Sequence, residues 1–159
     1  MAASTNYAGR DIDLFIFQGA KPAGDQLIAP GFGPDSGKVT TGIQKLVQKW
    51  AIIFFTELGS MEYQPELGTR FLTVASQGGI RDVMQARSEF NLAAQQIQQT
   101  LSLLEEENPE MPADEKLDSA ELVEVSLDKA AGKLNMTVNI TSEAGTSHDV
   151  ILPVPVPIQ

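Results

Sequence analysis

Two hydrophobic rhythms divide the chain. Ile43, Leu46, Val47, Trp50, Ile53 and Phe54 recur at steps of three and four, which places them on one face of a helix that must be buried. Ile52 and Phe55 widen that stripe over residues 50–55, while Lys45 and Lys49 stay on the polar side. Thr41 and Gln44 have the spacing of a reciprocal capping box, and Gly59 is the expected stop. A second long helix is predicted from Ile80 through Met84, Phe90, Ala94, Ile97, Leu101 and Leu104, interrupted by Arg87. Its four-three spacing after Phe90 resembles a coiled-coil seam, but a run of about two heptads is better read as a stripe packed against the first helix. Pro109 requires this helix to end by Asn108.

Beyond a polar, proline-punctuated loop over 109–118 the period changes to two. Leu122, Val123, Glu124, Val125, Ser126 and Leu127 form one strand signal, with Val123, Val125 and Leu127 expected on one face. Leu134, Met136, Val138 and Ile140 alternate with Asn135, Thr137, Asn139 and Thr141 in the cleanest alternation of the chain. Ala130, Ala131 and Gly132 link the two as an antiparallel hairpin. A turn over 143–148 then leads to a third extended segment over 149–158. There Pro153, Pro155 and Pro157 sit two apart, so their missing amide donors fall along one edge while Val154, Val156 and Ile158 keep theirs on the other. Such a segment bonds normally on one side only, as an edge strand or an arm that joins another sheet.

Before the first helix, residues 1–10 read as a flexible arm and 11–17 as a strand or extended arm. Glycine and proline at close intervals make 18–39 a long irregular loop suited to contacting a partner. Between the helices, 61–64 is expected to be extended, 65–68 a tight turn and 71–75 a short helical piece. The expected fold is therefore a single α+β domain over 1–159, with two main helices on a small antiparallel sheet, an extended N-terminal arm, and an extended strand or arm over 150–159.

Length supports this, since 159 residues bury a sizeable core without staples. With no cysteine, disulfides and thiolate zinc sites are excluded. No signal-like segment opens the chain and no apolar run is long enough to span a bilayer, so a soluble protein is expected. The net charge of −10 is unevenly placed: residues 1–100 carry 8 bases and 9 acids, residues 101–159 carry 3 and 12. An acidic last third disfavours nucleic acid and favours a basic protein surface as counterpart.

Candidate chemistry is sparse. His148, the single histidine, lies beside Asp149 in an expected turn, with no signature directing a nucleophile at it. Gly37-Lys38 fails as a phosphate loop, because Phe32 and Val39 occupy the positions that need glycine and a hydroxyl. Asp11 and Asp13 lack the rest of a calcium loop, and carboxylate pairs of glycosidase type arise by chance among 21 acids. No catalytic, metal-binding or cofactor-binding residue is assigned. Glu105, Glu106 and Glu107 at a helix C-terminus oppose the macrodipole, a placement that hints at an external role.

Thr56, Gly59, Pro65, Gly68, Thr69 and Arg70 form a T-x-x-G … P-x-x-G-T-R pattern between the helices. With the order of elements over residues 10–155, this resembles the baseplate wedge, or sheath-initiator, proteins of contractile-tailed phages and their type VI secretion counterparts. The resemblance implies a non-enzymatic virion protein of the tail baseplate, assembled in the host bacterial cytoplasm. Its implied partners are the tail sheath protein, baseplate wedge proteins and tail tube proteins, with no nucleic acid, membrane or small-molecule substrate. It implies sheath initiation by β-strand addition at 121–127, 134–141 and 150–158, through a sheath-side interface of Val138, Ile140, Val150, Leu152, Val154, Val156 and Ile158. A wedge-side interface of Pro65, Gly68, Thr69, Arg70, Asn108, Pro109 and Glu110 is also implied. Family members often carry Glu-Pro-Arg where this chain has Asn108-Pro109-Glu110, so any ionic role of that motif does not transfer. An alternative reading is an acidic adaptor that binds a basic protein through residues 105–124.

Overall fold

The computed structural model describes residues 13–14, 18–20, 26–27 and 39–158, with side chains from Thr40 onward. The expected arm over 1–10, most of the 11–17 run, and most of the 18–39 loop with Gly37 and Lys38 lie outside the described residues.

The α+β expectation holds. Short strands β1 (Asp13–Leu14), β2 (Gln18–Ala20), β3 (Gln26–Leu27) and β4 (Val39–Thr40) precede α1 (Gly42–Phe55). Helices α2 (Phe71–Ser76) and α3 (Val83–Glu107) follow, then a 3-10 turn at Ala113–Glu115. The chain continues through β5 (Leu117–Asp128), β6 (Lys133–Ser142) and β7 (Ser147–Pro155). The last three form an antiparallel meander. Regular structure also enters the expected loop, because β3 adds to β7 in parallel and β2 adds to β3, giving the order β2-β3-β7-β6-β5. A separate two-stranded pair joins β1 to β4.

Alternation on β6 drives the packing. Leu134, Met136, Val138 and Ile140 are fully buried, and Val150, Leu152 and Val154 of β7 share their face. Each such side chain contributes about 1.5–3 kcal/mol through apolar burial. Both long helices cover this face, α1 against β6 and β7 and α3 against β5. Trp50 stacks on Phe54 with ring centroids 5.4 Å apart, Phe71 lies 4.8 Å from Phe54, and Phe90 of α3 closes the cluster 5.9 Å from Trp50.

Several local expectations are corrected. Thr41 stands at the N-cap of α1 without a side-chain bond; instead Glu115 Oε1 accepts the Gly42 amide at 3.0 Å and Glu115 Oε2 accepts Lys45 Nζ at 3.0 Å. A carboxylate from 73 residues away therefore caps the helix, which no local pattern reveals. Helix α1 ends at Phe55 rather than near Gly59, because the Thr56 amide and hydroxyl both turn back onto Ile52 O. Helix α3 starts three residues after Ile80: Asp82 caps it by accepting the Gln85 amide, and Met84 lies exposed in the first turn. Val123 is also exposed, because a bulge between Leu122 and Glu124 makes it the extra residue, leaving Leu122, Val125 and Leu127 on the core side.

Candidate functional site

Residues 56–70 form a compact Ω-like loop closed at its neck. The Thr69 amide donates to Thr56 O at 2.9 Å, the Leu58 amide to Thr69 O at 3.0 Å and the Gly59 amide to Pro65 O at 2.9 Å. Thr69 is fully buried, its Oγ1 donating to Phe54 O at 3.0 Å and accepting from the Phe71 amide at 3.3 Å. Gly68 has φ +116°, and a Cβ there would lie 2.5 Å from Thr56 O. Thr56, Gly68 and Thr69 of the family-like pattern are thus the weld of the neck. The span 60–66 is exposed, with Tyr63 at its tip 92% accessible and Met61 beside it in sequence.

Of the expected wedge-side residues, Gly68 and Thr69 are buried, whereas Pro65, Arg70, Asn108, Pro109 and Glu110 are exposed. Gly68 and Thr69 are therefore corrected from contact residues to structural ones. Arg70 stands at the N-cap position of α2 with its side chain in solvent. The acidic stretch divides as well. Glu105 is internal to the fold, its Oε1 accepting the Leu117 amide at 2.9 Å, and Glu115 is buried at the N-terminus of α1. Glu106 and Glu107 are exposed. An adaptor surface running continuously from 105 to 124 is therefore not what the fold presents.

The expected sheath-side set needs the largest correction. Val138, Ile140, Val150, Leu152 and Val154 are no more than 2% exposed, and Val156 is 9% exposed; all six face the protein's own core. Ile158 alone of that set is open to solvent. A strand with one buried face has committed those side chains already, so what remains for a partner is its backbone edge.

The phase of the ladder decides what each edge offers. Val156 N–H donates to Gly132 O at 3.0 Å and Ser142 N–H to Thr146 O at 2.8 Å, so even-numbered residues of β6 and β7 bond one another. Odd-numbered residues of β7 aim their backbone groups away from β6. Pro153 and Pro155 are among them, so the outer edge of β7 lacks amide donors there, as the proline spacing predicts. Upstream the same edge carries β3, opposite Val150 and Ile151. The outer side of β7 is thus taken at 150–151 and without donors at Pro153 and Pro155, and beyond β3 the sheet ends on β2.

At the other side of the sheet, odd-numbered residues of β6 bond β5, leaving Ala120, Leu122, Val125 and Leu127 with backbone groups that point outward. Leu117 shares that phase, and its amide is the one Glu105 receives. From Ala120 to Leu127 no described residue pairs with the outer edge of β5. The proline spacing leaves open which edge of the sheet is free; the strand order ends on β2 and β5, of which β5 is the long strand.

Other candidate chemistry finds little geometry. His148 lies in β7 opposite Ile140 and is half-buried, rather than in a solvated turn. Among the described residues no group of three or more His, Cys, Asp or Glu side chains is placed to hold a metal ion, and no helix is long and apolar enough to cross a membrane. A cleft of ≈ 370 Å³ lies between α1, α3 and the Ω-loop, floored by Ile53, Leu67 and Leu104 with Ile52 and Leu103 at its mouth. Comparison with protein-family models, curated proteins and solved structures finds no match to this chain.

Proposed function

We propose that the protein is a non-catalytic assembly subunit of a contractile-tail baseplate, which docks on the wedge and initiates the sheath by adding a strand from a neighbouring chain to its sheet. The inequality of the two outer strands of the meander, β7 and β5, supports this reading best. The outer side of β7 is taken by β3 at Val150 and Ile151 and lacks donors at Pro153 and Pro155, whereas β5, which ends the sheet, presents the outward backbone groups of Ala120, Leu122, Val125 and Leu127. Main-chain bonds along such an edge supply affinity, and alternating side chains supply register. The sheath protein is the proposed strand donor, at β5 rather than at residues 150–158. The exposed face formed by the Ω-loop tip, Arg70 and residues 108–110 is the proposed wedge contact.

Leu127→Pro tests the reading directly. It removes an outward amide and leaves the bonds between β5 and β6 in place. Isolated baseplates carrying this variant should fail to nucleate sheath, while its circular dichroism stays native-like and its thermal melt falls only by the packing of one half-buried leucine. Normal sheath growth on those baseplates would overturn strand addition at β5.

A further inference from the structure

The residues flanking the β5 edge specify what kind of strand it takes. On the core side Leu122, Val125 and Leu127 are half-buried, packed against the core yet reaching its rim. On the opposite face Glu121 and Glu124 are exposed. Their cross-strand neighbours are Asn139 and Thr137, neither of which is a cation, and one strand further the side chain of Asn139 donates to Asp149. Asp128 differs, because it stands opposite Lys133 with Lys129 next in the chain. The negative charge of this face is therefore concentrated at the middle of the open edge, not at the hairpin end.

Resting on strand addition at β5, we infer that the incoming strand is an extended basic segment of another chain, in which apolar residues alternate with lysine or arginine. Its apolar side chains extend the row of Leu122, Val125 and Leu127 across the core rim. Its basic side chains, on the other face, lie diagonal to Glu121 and Glu124, within reach for long side chains. The flat part of the edge is short, since bulges interrupt β5 after Leu117 and after Leu122. Residues 124–128 give the longest regular stretch, so a segment of about five to eight residues suffices.

Two other occupants fit worse. A second copy pairing β5 to β5 brings Glu121 and Glu124 of both chains onto one face, where like charges repel, and sets bulge against bulge. A second copy pairing its β7 to β5 is blocked by Pro153, Pro155 and β3. Neither β5 against β5 nor β7 against β5 is therefore a favoured self-pairing.

Two eight-residue blocked peptides, one alternating valine with lysine and one alternating valine with glutamate, test this on the full chain. The reporters are hydrogen exchange and chemical shifts of the Ala120, Leu122, Val125 and Leu127 amides. The lysine peptide should slow exchange at these four positions, and the glutamate peptide should not. Glu121→Lys combined with Glu124→Lys should weaken lysine-peptide binding by about tenfold and admit the glutamate peptide. Leu127→Pro should abolish binding of either, and native amide dispersion in each variant controls for folding. Equal binding of both peptides, unaffected by charge reversal, overturns the basic partner while strand addition stands. No protection at these amides by either peptide, or full binding by Leu127→Pro, overturns strand addition at this edge as well. Protection that instead rises with protein concentration alone overturns the argument against self-pairing.

Discussion

Glu115 is where a single substitution should be felt farthest from its own position. Its carboxylate is 3% exposed and receives the Gly42 amide at the start of α1 together with Lys45 Nζ. Glu115→Ala leaves a buried amide without its acceptor, worth about 1–3 kcal/mol, and removes a charge-assisted bond worth about 1.5–3 kcal/mol. The loss of negative charge from the positive end of the helix acts in the same direction. Lys45 is itself 12% exposed and regains some hydration, so the expected loss is about 3–5 kcal/mol rather than the full sum. That corresponds to roughly 6–20 °C in Tm for a chain of this size. Glu115→Gln keeps an acceptor for Gly42 and should lose only about half as much. Trp50 is the single tryptophan and is fully buried, so urea unfolding followed by its fluorescence, with circular dichroism alongside, reads the change directly. A loss below about 1 kcal/mol for Glu115→Ala, or equal losses for alanine and glutamine, would refute the assignment of this carboxylate as the cap of α1.

Four further outcomes are expected. Gly68→Ala should destabilise by about 2–4 kcal/mol through its positive φ and the collision with Thr56 O, whereas Gly59→Ala, with φ +82° and open space, should lose about 1–2 kcal/mol; paired chemical denaturation checks the contrast. Arg70→Ala should change stability by less than about 0.5 kcal/mol and, on the proposed wedge contact, impair docking, read by co-sedimentation with baseplate proteins. Deleting residues 150–159 should unfold the chain, because it removes Val150, Leu152, Val154 and Val156 from the core; a dispersed amide spectrum from the truncated protein would contradict this. Pro153→Val with Pro155→Val should restore outward donors to β7 and produce concentration-dependent association, detected by sedimentation velocity, without loss of Tm.

Much of this architecture is legible in the residues themselves. The stripe from Leu46 to Phe54, the end of α3 before Pro109 and the three late strands follow from periodicity, because each element buries a single face and its sequence must repeat at that element's pitch. The single-sided bonding of the proline segment is readable too, since a ring on nitrogen acts wherever the strand lies. What pattern does not carry is pairing between distant segments. The Glu115 cap, the Glu105 bond to Leu117 and the addition of β3 to β7 each join residues with no local relation. Val123 shows the same limit at short range, because period two assumes an unbroken ladder and one inserted residue reverses the face of all that precede it. For the same reason the apolar rows of β6 and β7 are legible in the residues, but not that the chain's own helices cover them.

The prolines of β7 also set a valence. A meander with donors on both outer strands can take a long strand on either side, whereas one with prolines on one outer strand takes it on the other. With Pro153 and Pro155 on the outer side of β7 and the outward groups of β5 on the other side, the meander of β5, β6 and β7 takes a long strand on one side only. Wherever a long strand is added to such a meander, the side from which it comes is fixed by this one chain.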